Sequence, residues 1–420
     1  MTVALRSPRP ALSPVFWVLF WGTLVNRAAS FVVVFLALHL TQDLGTSEAT
    51  AGWIVGCWGI GSWLASPVAG VLTDQVGRRS TMLLGLVLGG ACVLALALVA
   101  DLRALFALAF LGGATAQLFF PACNAAIADV VPTADRPRAY GLIYWAVNLG
   151  LAIGYAVGGV VPDRDLWLLF VADAGTTFAC AAIVAWRVPE TRPAGVHHEP
   201  ALRGLARVAA DRTFLAFAGL HLAALVVFTQ FQLALPLDMK AHGQGSRGFA
   251  WLMAFNCAGV VALQPWLAPR LRRLDGSRLL AISSLLFGLG YGLNALVPGL
   301  ARSLAGLGLG GAHGWGLALY LAGAGLWTVG EVVGFPVASS LVADLAPVAL
   351  RGRYQGAYAM VWGMSMGLSP IFGGQMIGWL GAPALWALCL GICAAVAAGH
   401  LLAAPARRRR LTALAADRAG

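Results

Sequence analysis

Charge is what this sequence has least of. Asp, Glu, Lys and Arg make up 11% of its 420 residues, against roughly a quarter in an ordinary soluble domain. Lys240 is the lone lysine among 28 basic residues. A compact globule needs polar surface to face water, and a chain that is 60% apolar with mean hydropathy +0.80 cannot supply it. That excludes a soluble enzyme of this size, a disordered chain and a fibrous one. No C-x-x-C pair occurs, and Cys57, Cys92, Cys123, Cys180, Cys257, Cys389 and Cys393 all fall in apolar runs. A disulfide framework or a metal site is therefore not expected. No G-x-x-x-x-G-K-[ST] loop occurs either, which excludes ATP as the energy source. Two enzyme-like strings lack the strand context their chemistry needs: G-M-S-M-G at 363–367 and G-L-G-L-G-G at 306–311. The expectation is no enzyme, no cofactor and no metal.

What the chain has is apolar length. A bilayer core of about 30 Å takes about 20 helical residues. Runs of that size fall near 14–38, 49–72, 82–100, 104–127, 139–161, 166–186, 214–237, 249–268, 279–298, 314–341, 354–378 and 383–403. The first exceeds a signal-peptide core and has no A-x-A site, so it reads as a retained helix. The expectation is an all-α integral membrane protein with twelve transmembrane helices.

Arginine placement orients them. With the N-terminus in the cytoplasm, 22 basic residues fall in cytoplasmic segments, among them Arg78, Arg79, Arg136, Arg138, Arg351, Arg353 and Arg407 to Arg410. Five fall outside: Arg103, Arg164, Lys240, Arg247 and Arg302. Both termini are thus expected in the cytoplasm, and the sided arginines account for the net charge of +11 without nucleic acid. The longest polar stretch, 188–213, divides the chain into bundles at 1–187 and 214–420. Its second part is either a basic amphipathic helix on the inner leaflet or a solvated linker.

The two halves repeat. Residues 120–159 align on 335–374 without a gap at a constant offset of 215, with Asp129/Asp344, Pro132/Pro347, Arg136/Arg351 and Arg138/Arg353 among the identities. Apolar composition alone does not align Asp, Pro and Arg. Pro67 and Pro265 are 198 apart, which marks an insertion of about 17 residues (215 − 198) in the second half, in the external loop 299–313. Two parallel six-helix repeats around a midplane cavity are a transporter architecture.

The loop after the second span reads SPVAGVLTDQVGRRS. It resembles the signature loop of the major facilitator superfamily, G-x-x-x-D-x-x-G-R-[RK], at Gly70, Asp74, Gly77, Arg78 and Arg79. In that family the Asp packs toward the start of the eleventh helix and helps hold a cytoplasmic gate closed. Gln75 departs from the family's usual Arg. The fifth span carries Gly150, Gly154, Gly158 and Gly159 around Tyr155. This resembles the antiporter pattern G-x-x-x-G-P-x-x-G-G with the proline missing; Ser365, Ser369, Pro370 and Gly374 keep the proline in the other half. Small residues at this spacing let spans 5 and 8, or 11 and 2, pack closely; ordinary helix packing uses the same residues. The helix-four Arg common in drug antiporters is absent, Ala109 standing before Gly112 and Gly113.

Arg27, Asp173 and Glu331 lie deep in spans 1, 6 and 10. Charge at such depth usually faces a cavity or a partner. In the family spans 1, 4, 7 and 10 line the cavity, so the resemblance points to Arg27 and Glu331 as site residues, with Glu331 carrying a coupled proton and Arg27 holding it when ionised. A structural ion pair between them is the plainer alternative, and structural pairing is the better reading for Asp173. Asn26 accompanies Arg27 in a stretch similar to the MdtH-like multidrug exporters. On the seventh span His221, Gln230 and Gln232 accompany Phe228 and Phe231; they either contact substrate or bond neighbouring helices. The resemblance implies proton-coupled efflux of small hydrophobic or cationic compounds by a monomeric multi-pass cell-membrane protein, an antiporter. The alternative is a proton-coupled importer of a small metabolite or peptide.

Overall fold

The computed structural model describes residues 12–28, 36, 39–40, 44–46, 48–158, 167–193, 200–271, 274–307 and 311–419. Among them the regular structure is helical: α1 Pro14–Ala28, α2 Glu48–Gln75, α3 Arg78–Leu98, α4 Leu102–Ala116, α5 Phe119–Val130, α6 Arg136–Gly158, α7 Trp167–Arg187, α8 Ala201–Ala210, α9 Arg212–Phe228, α10 Ala234–Ala241, α11 Gly245–Leu271, α12 Gly276–Gly292, α13 Val297–Gly306, α14 Ala312–Leu345, α15 Arg351–Leu380, α16 Ala382–Leu402 and α17 Ala404–Ala419. Nine stretches among the described residues are long and apolar enough to cross a membrane. Span 1 is described only to Ala28. Spans 5 and 11 are helices of 23 and 30 residues outside that set.

Short polar side chains start several of these helices. Asp211 accepts from the backbone N–H groups of Thr213 and Phe214, both at 3.0 Å, and Asp275 accepts from Ser277 and Arg278 at 3.0 and 3.3 Å. Each carboxylate satisfies donors that the first helical turn leaves open. Large apolar side chains such as Trp53, Trp186, Trp251 and Trp379 stay exposed, as lipid-facing residues do.

Helix contacts reproduce the sequence repeat. In the first half α1 packs on α6, α2 on α4 and α3 on α7; in the second α9 packs on α15, α11 on α14 and α12 on α16. These are the same three pairings, one per half. Between the halves α2 meets α15 and α6 meets α11, again as counterparts. The repeat reaches the backbone: Pro132 and Pro347, each opening a short turn, have φ −55° and ψ 143° and 147°.

One expectation changes and one alternative is decided. The loop 299–313 is helical over much of its length, because α13 continues to Gly306. The second part of the linker is a helix, α8, one of its two expected forms, and it packs against α15: a methyl group on Gly204 would sit 2.5 Å from the Arg353 guanidinium carbon.

Candidate substrate cavity and its closed end

The closed end is built first from Gly70 and Asp74. A Cβ on Gly70 would stand 2.7 Å from the Gly352 carbonyl oxygen and 2.9 Å from the Arg353 Cα, so only glycine lets α2 and α15 come this close. That contact brings Asp74, fully buried, onto the first turn of α15. Its two carboxylate oxygens accept from the N–H groups of Gly352 at 2.7 Å and Arg353 at 3.0 Å. An anion is favoured there by the free donors and the positive end of the helix dipole. Arg78 runs back from the next helix, its Nη1 3.4 Å from Asp74 and its Nε donating to Asp129 at 2.9 Å. Gly77 turns with φ +126°, and Glu190 caps α3 behind it, accepting from the N–H groups of Arg78 and Arg79 at 2.9 and 3.2 Å. Arg79 donates to the Ala185 carbonyl at 2.5 Å. The signature residues thus meet the start of the eleventh span, as the resemblance implies.

Two further ion pairs lock the same end, and they cross between the halves. Arg136 pairs with Asp344, and Arg351 pairs with Asp129. Burial lowers the Arg351 guanidinium from its ordinary value, while Asp129 beside it acts in the opposite direction. The sequence repeat identifies all four residues but does not say that they pair crosswise.

Above this closed end lies a cavity of about 1150 Å³. On α2 its lining runs from Gly56 to Ser66, and on α15 from Gln355 to Ile371. The cavity therefore extends away from Asp74, toward the far ends of both helices. Its walls are aromatic, with Trp63, Phe120, Tyr144, Phe228, Phe335 and Trp362 contributing from both halves.

The expected site residues divide. Arg27 lines this space, its guanidinium carbon 4.4 Å from the centre of the Phe120 ring. Asn26 does not; it donates to Thr177 at 3.1 Å, and Thr177 donates to Asp173 at 3.4 Å. Glu331 is 1% exposed and lies one residue behind the wall: Tyr144, which lines the cavity, donates to it at 2.5 Å, and Asn256 donates at 2.7 Å. The expected hold of Arg27 on Glu331 is thus not what the structure shows. Glu331 is held by neutral donors, and Tyr144 is the residue that ties it to the other half.

His221 and Gln230 are not in the cavity wall. His221 shares a hydrogen bond with Tyr358 at 3.1 Å and stacks on Phe217, while Gln230 donates to the carbonyls of Val226 and Ser369 at 3.0 and 3.2 Å. Both bond helix to helix, the plainer of the two readings. Phe228 and Phe231, their neighbours, do line the cavity. The glycines of the fifth span also serve a different contact from the one expected. A Cβ on Gly150 would stand 2.7 Å from the Cβ of Arg27, and one on Gly154 3.1 Å from the Ala28 carbonyl. They pack span 5 on span 1, not on span 8, and they seat Arg27. Gly158 ends α6, and Gly159 lies outside the described residues.

Residues 19–324 match the family model described as Major Facilitator Superfamily. The chain is 24% identical over 381 residues, 91% of its length and 90% of the relative's, to the uncharacterized MFS-type transporter YhjO of Bacillus subtilis (strain 168). It is 26% identical over 330 residues, covering 78% of this chain and 77% of the relative, to multidrug resistance protein MdtH of Edwardsiella ictaluri (strain 93-146). In fold it is similar to the crystal structure of the human organic anion transporter MFSD10, with TM-score 0.73 at 18% identity, covering 92% of this chain and 98% of that one.

Proposed function

From the premise that this chain belongs to the major facilitator superfamily, a secondary transporter and no enzyme, we propose that it exports small hydrophobic compounds in exchange for protons. The observation that carries the reading is Glu331. Its carboxyl group is buried beside the cavity and is bonded across the two halves by Tyr144. A proton held on or given up from that carboxyl alters a hydrogen bond that must break if the halves rock apart. An ion gradient can supply the energy: one charge crossing 100 mV carries about 2.3 kcal/mol.

Efflux is supported by the multidrug resistance protein among the relatives and by the apolar cavity wall. The reading places the protein as a monomer in the cell membrane with both termini in the cytoplasm, and the arginine asymmetry supports that orientation. In it Asp74, Arg78 and the crossed ion pairs form the cytoplasmic gate, and the cavity faces outward. Gradient-driven flux of a fluorescent drug in everted vesicles tests it. Glu331→Gln is expected to abolish pH-driven accumulation while leaving equilibrium exchange intact, because exchange needs no net protonation. Accumulation that survives the substitution, or flux in the import direction only, refutes the reading.

A further inference from the structure

We propose that the substrate is an amphipathic organic anion, an aromatic or fused-ring body bearing a carboxylate, with Arg27 as its charge anchor; this rests on the reading of the cavity as the transport site. Among the described residues lining the cavity, Arg27 is the one charged side chain. The remaining polar lining is neutral, supplied by groups such as Gln117, Asn124 and Gln355. Membrane-depth charge of this kind usually faces a partner, and buried charge is tolerated where it is paired.

The arrangement around Arg27 leaves its head turned to the cavity. Gly150 accommodates the stem, a Cβ there being excluded at 2.7 Å. The guanidinium lies over Phe120, and its Nε makes no hydrogen bond. Asp173, the other deep charge of the first half, does not line the cavity. A planar guanidinium offers two parallel N–H donors to a carboxylate. A cation in the same cavity would face Arg27 with no lining carboxylate to balance it. Glu331 does not fill that role, since its two oxygens are taken by Tyr144 and Asn256 and it stands behind the wall. The rings of Trp63, Phe335 and Trp362 provide the surface for an apolar body. The charge preference is thus opposite to the cationic compounds that the family resemblance alone implies.

The experiment uses two dyes with one xanthene skeleton and opposite charge, anionic fluorescein and cationic rhodamine 123. Binding is read by fluorescence anisotropy on the purified full chain in lipid nanodiscs, with no gradient present. Fluorescein is expected to bind at least about tenfold more tightly, the scale of one charge-assisted hydrogen-bonded contact. Arg27→Gln is expected to remove that preference, and Arg27→Lys to retain part of it. A wild-type chain that prefers rhodamine 123, binds both dyes alike or binds neither overturns the proposal. So does an Arg27→Gln chain, monodisperse by size exclusion, that keeps the preference. If Arg27→Gln does not fold, the wild-type preference and the Arg27→Lys chain decide. Because no gradient is used, the outcome is separate from coupling: a fluorescein preference without pH-driven flux sinks the proton-coupled reading and leaves the anion site standing.

Discussion

Arg136, from the first half of the chain, forms an ion pair with Asp344, from the second, and the pair has a counterpart related by the repeat. Adding the repeat offset of 215 to Asp129 and Arg136 gives Asp344 and Arg351, and Arg351 pairs with Asp129. Near a pseudo-two-fold axis a residue meets the counterpart of its neighbour, so one pair requires the other. Both pairs span the seam between the two halves, the seam that opens under the proposed rocking of the bundles.

Breaking one buried pair leaves an uncompensated charge, at a cost of about 3–5 kcal/mol. Asp344→Arg alone is therefore expected to cut transport by more than about tenfold and lower the melting temperature in detergent. Combining it with Arg136→Asp is expected to recover a measurable part of both. A double variant no better than the singles argues that the two residues do not act as a pair.

Asp74 acts on α15 through two backbone hydrogen bonds, which only an unprotonated carboxylate accepts symmetrically. Asp74→Asn keeps one acceptor oxygen and loses the charge at the helix N-terminus, a change of about 0.5–2 kcal/mol. Transport is expected to fall severalfold with dye affinity within a few-fold of wild type. Lost binding in a folded variant would mean that Asp74 shapes the cavity rather than the gate.

Gly70→Ala tests the same seam sterically. The obstructing atoms are backbone, at 2.7 and 2.9 Å, and cannot move independently. The closed end is expected to fail to close, exposing cysteines placed in the cavity to a cytoplasmic thiol reagent. Gly219→Ala is the control: nothing lies within 4 Å of the added methyl group, and helical Ala is favoured over Gly by about 1 kcal/mol. Equal labelling of the two variants would refute the close-approach argument.

The sequence makes the closed end legible because its residues are charged, repeated and set at fixed spacing at helix ends. It makes the cavity legible only in part. Hydropathy gives the depth of Glu331 and Arg27, and depth alone suggests that they meet. Which way each faces around its helix depends on neighbours, and here Gly150 directs the Arg27 stem while Tyr144 and Asn256 take Glu331. Those partners are neutral and carry no charge signal in a membrane helix. Gln230 misleads for a related reason: a polar side chain in an apolar run signals a need for a partner, and a helix carbonyl such as that of Ser369 meets it as well as a substrate does.

Orientation is checked by labelling. Single cysteines at 243 and 203 lie on opposite sides of the seventh span, beyond α10 and within α8. An impermeant thiol reagent added to intact cells is expected to modify the cysteine at 243 and spare the one at 203. The reverse pattern would invert the arginine argument and place the closed end outside.

The hydrogen bond from Tyr144 to Glu331 gives the last prediction. It joins α6 to α14, and thus the first half to the second, at the wall of the cavity. Tyr144→Phe removes the hydroxyl and keeps the ring, whose edge-on contact with Phe335 has centroids 5.5 Å apart and an interplanar angle of 79°. Packing is preserved, so the melting temperature is expected to stay within a few degrees. One carboxyl oxygen of Glu331 then loses its donor, and Asn256 holds the other at 2.7 Å. A hydrogen bond to a charged group contributes about 1.5–3 kcal/mol, enough to shift the coupling step by about tenfold or more. Gradient-driven efflux is expected to fall by that factor, and substrate exchange at equal pH to change less than twofold. If both fall together, Tyr144 serves the substrate and not the proton; if neither changes, the bond between the halves has no part in coupling.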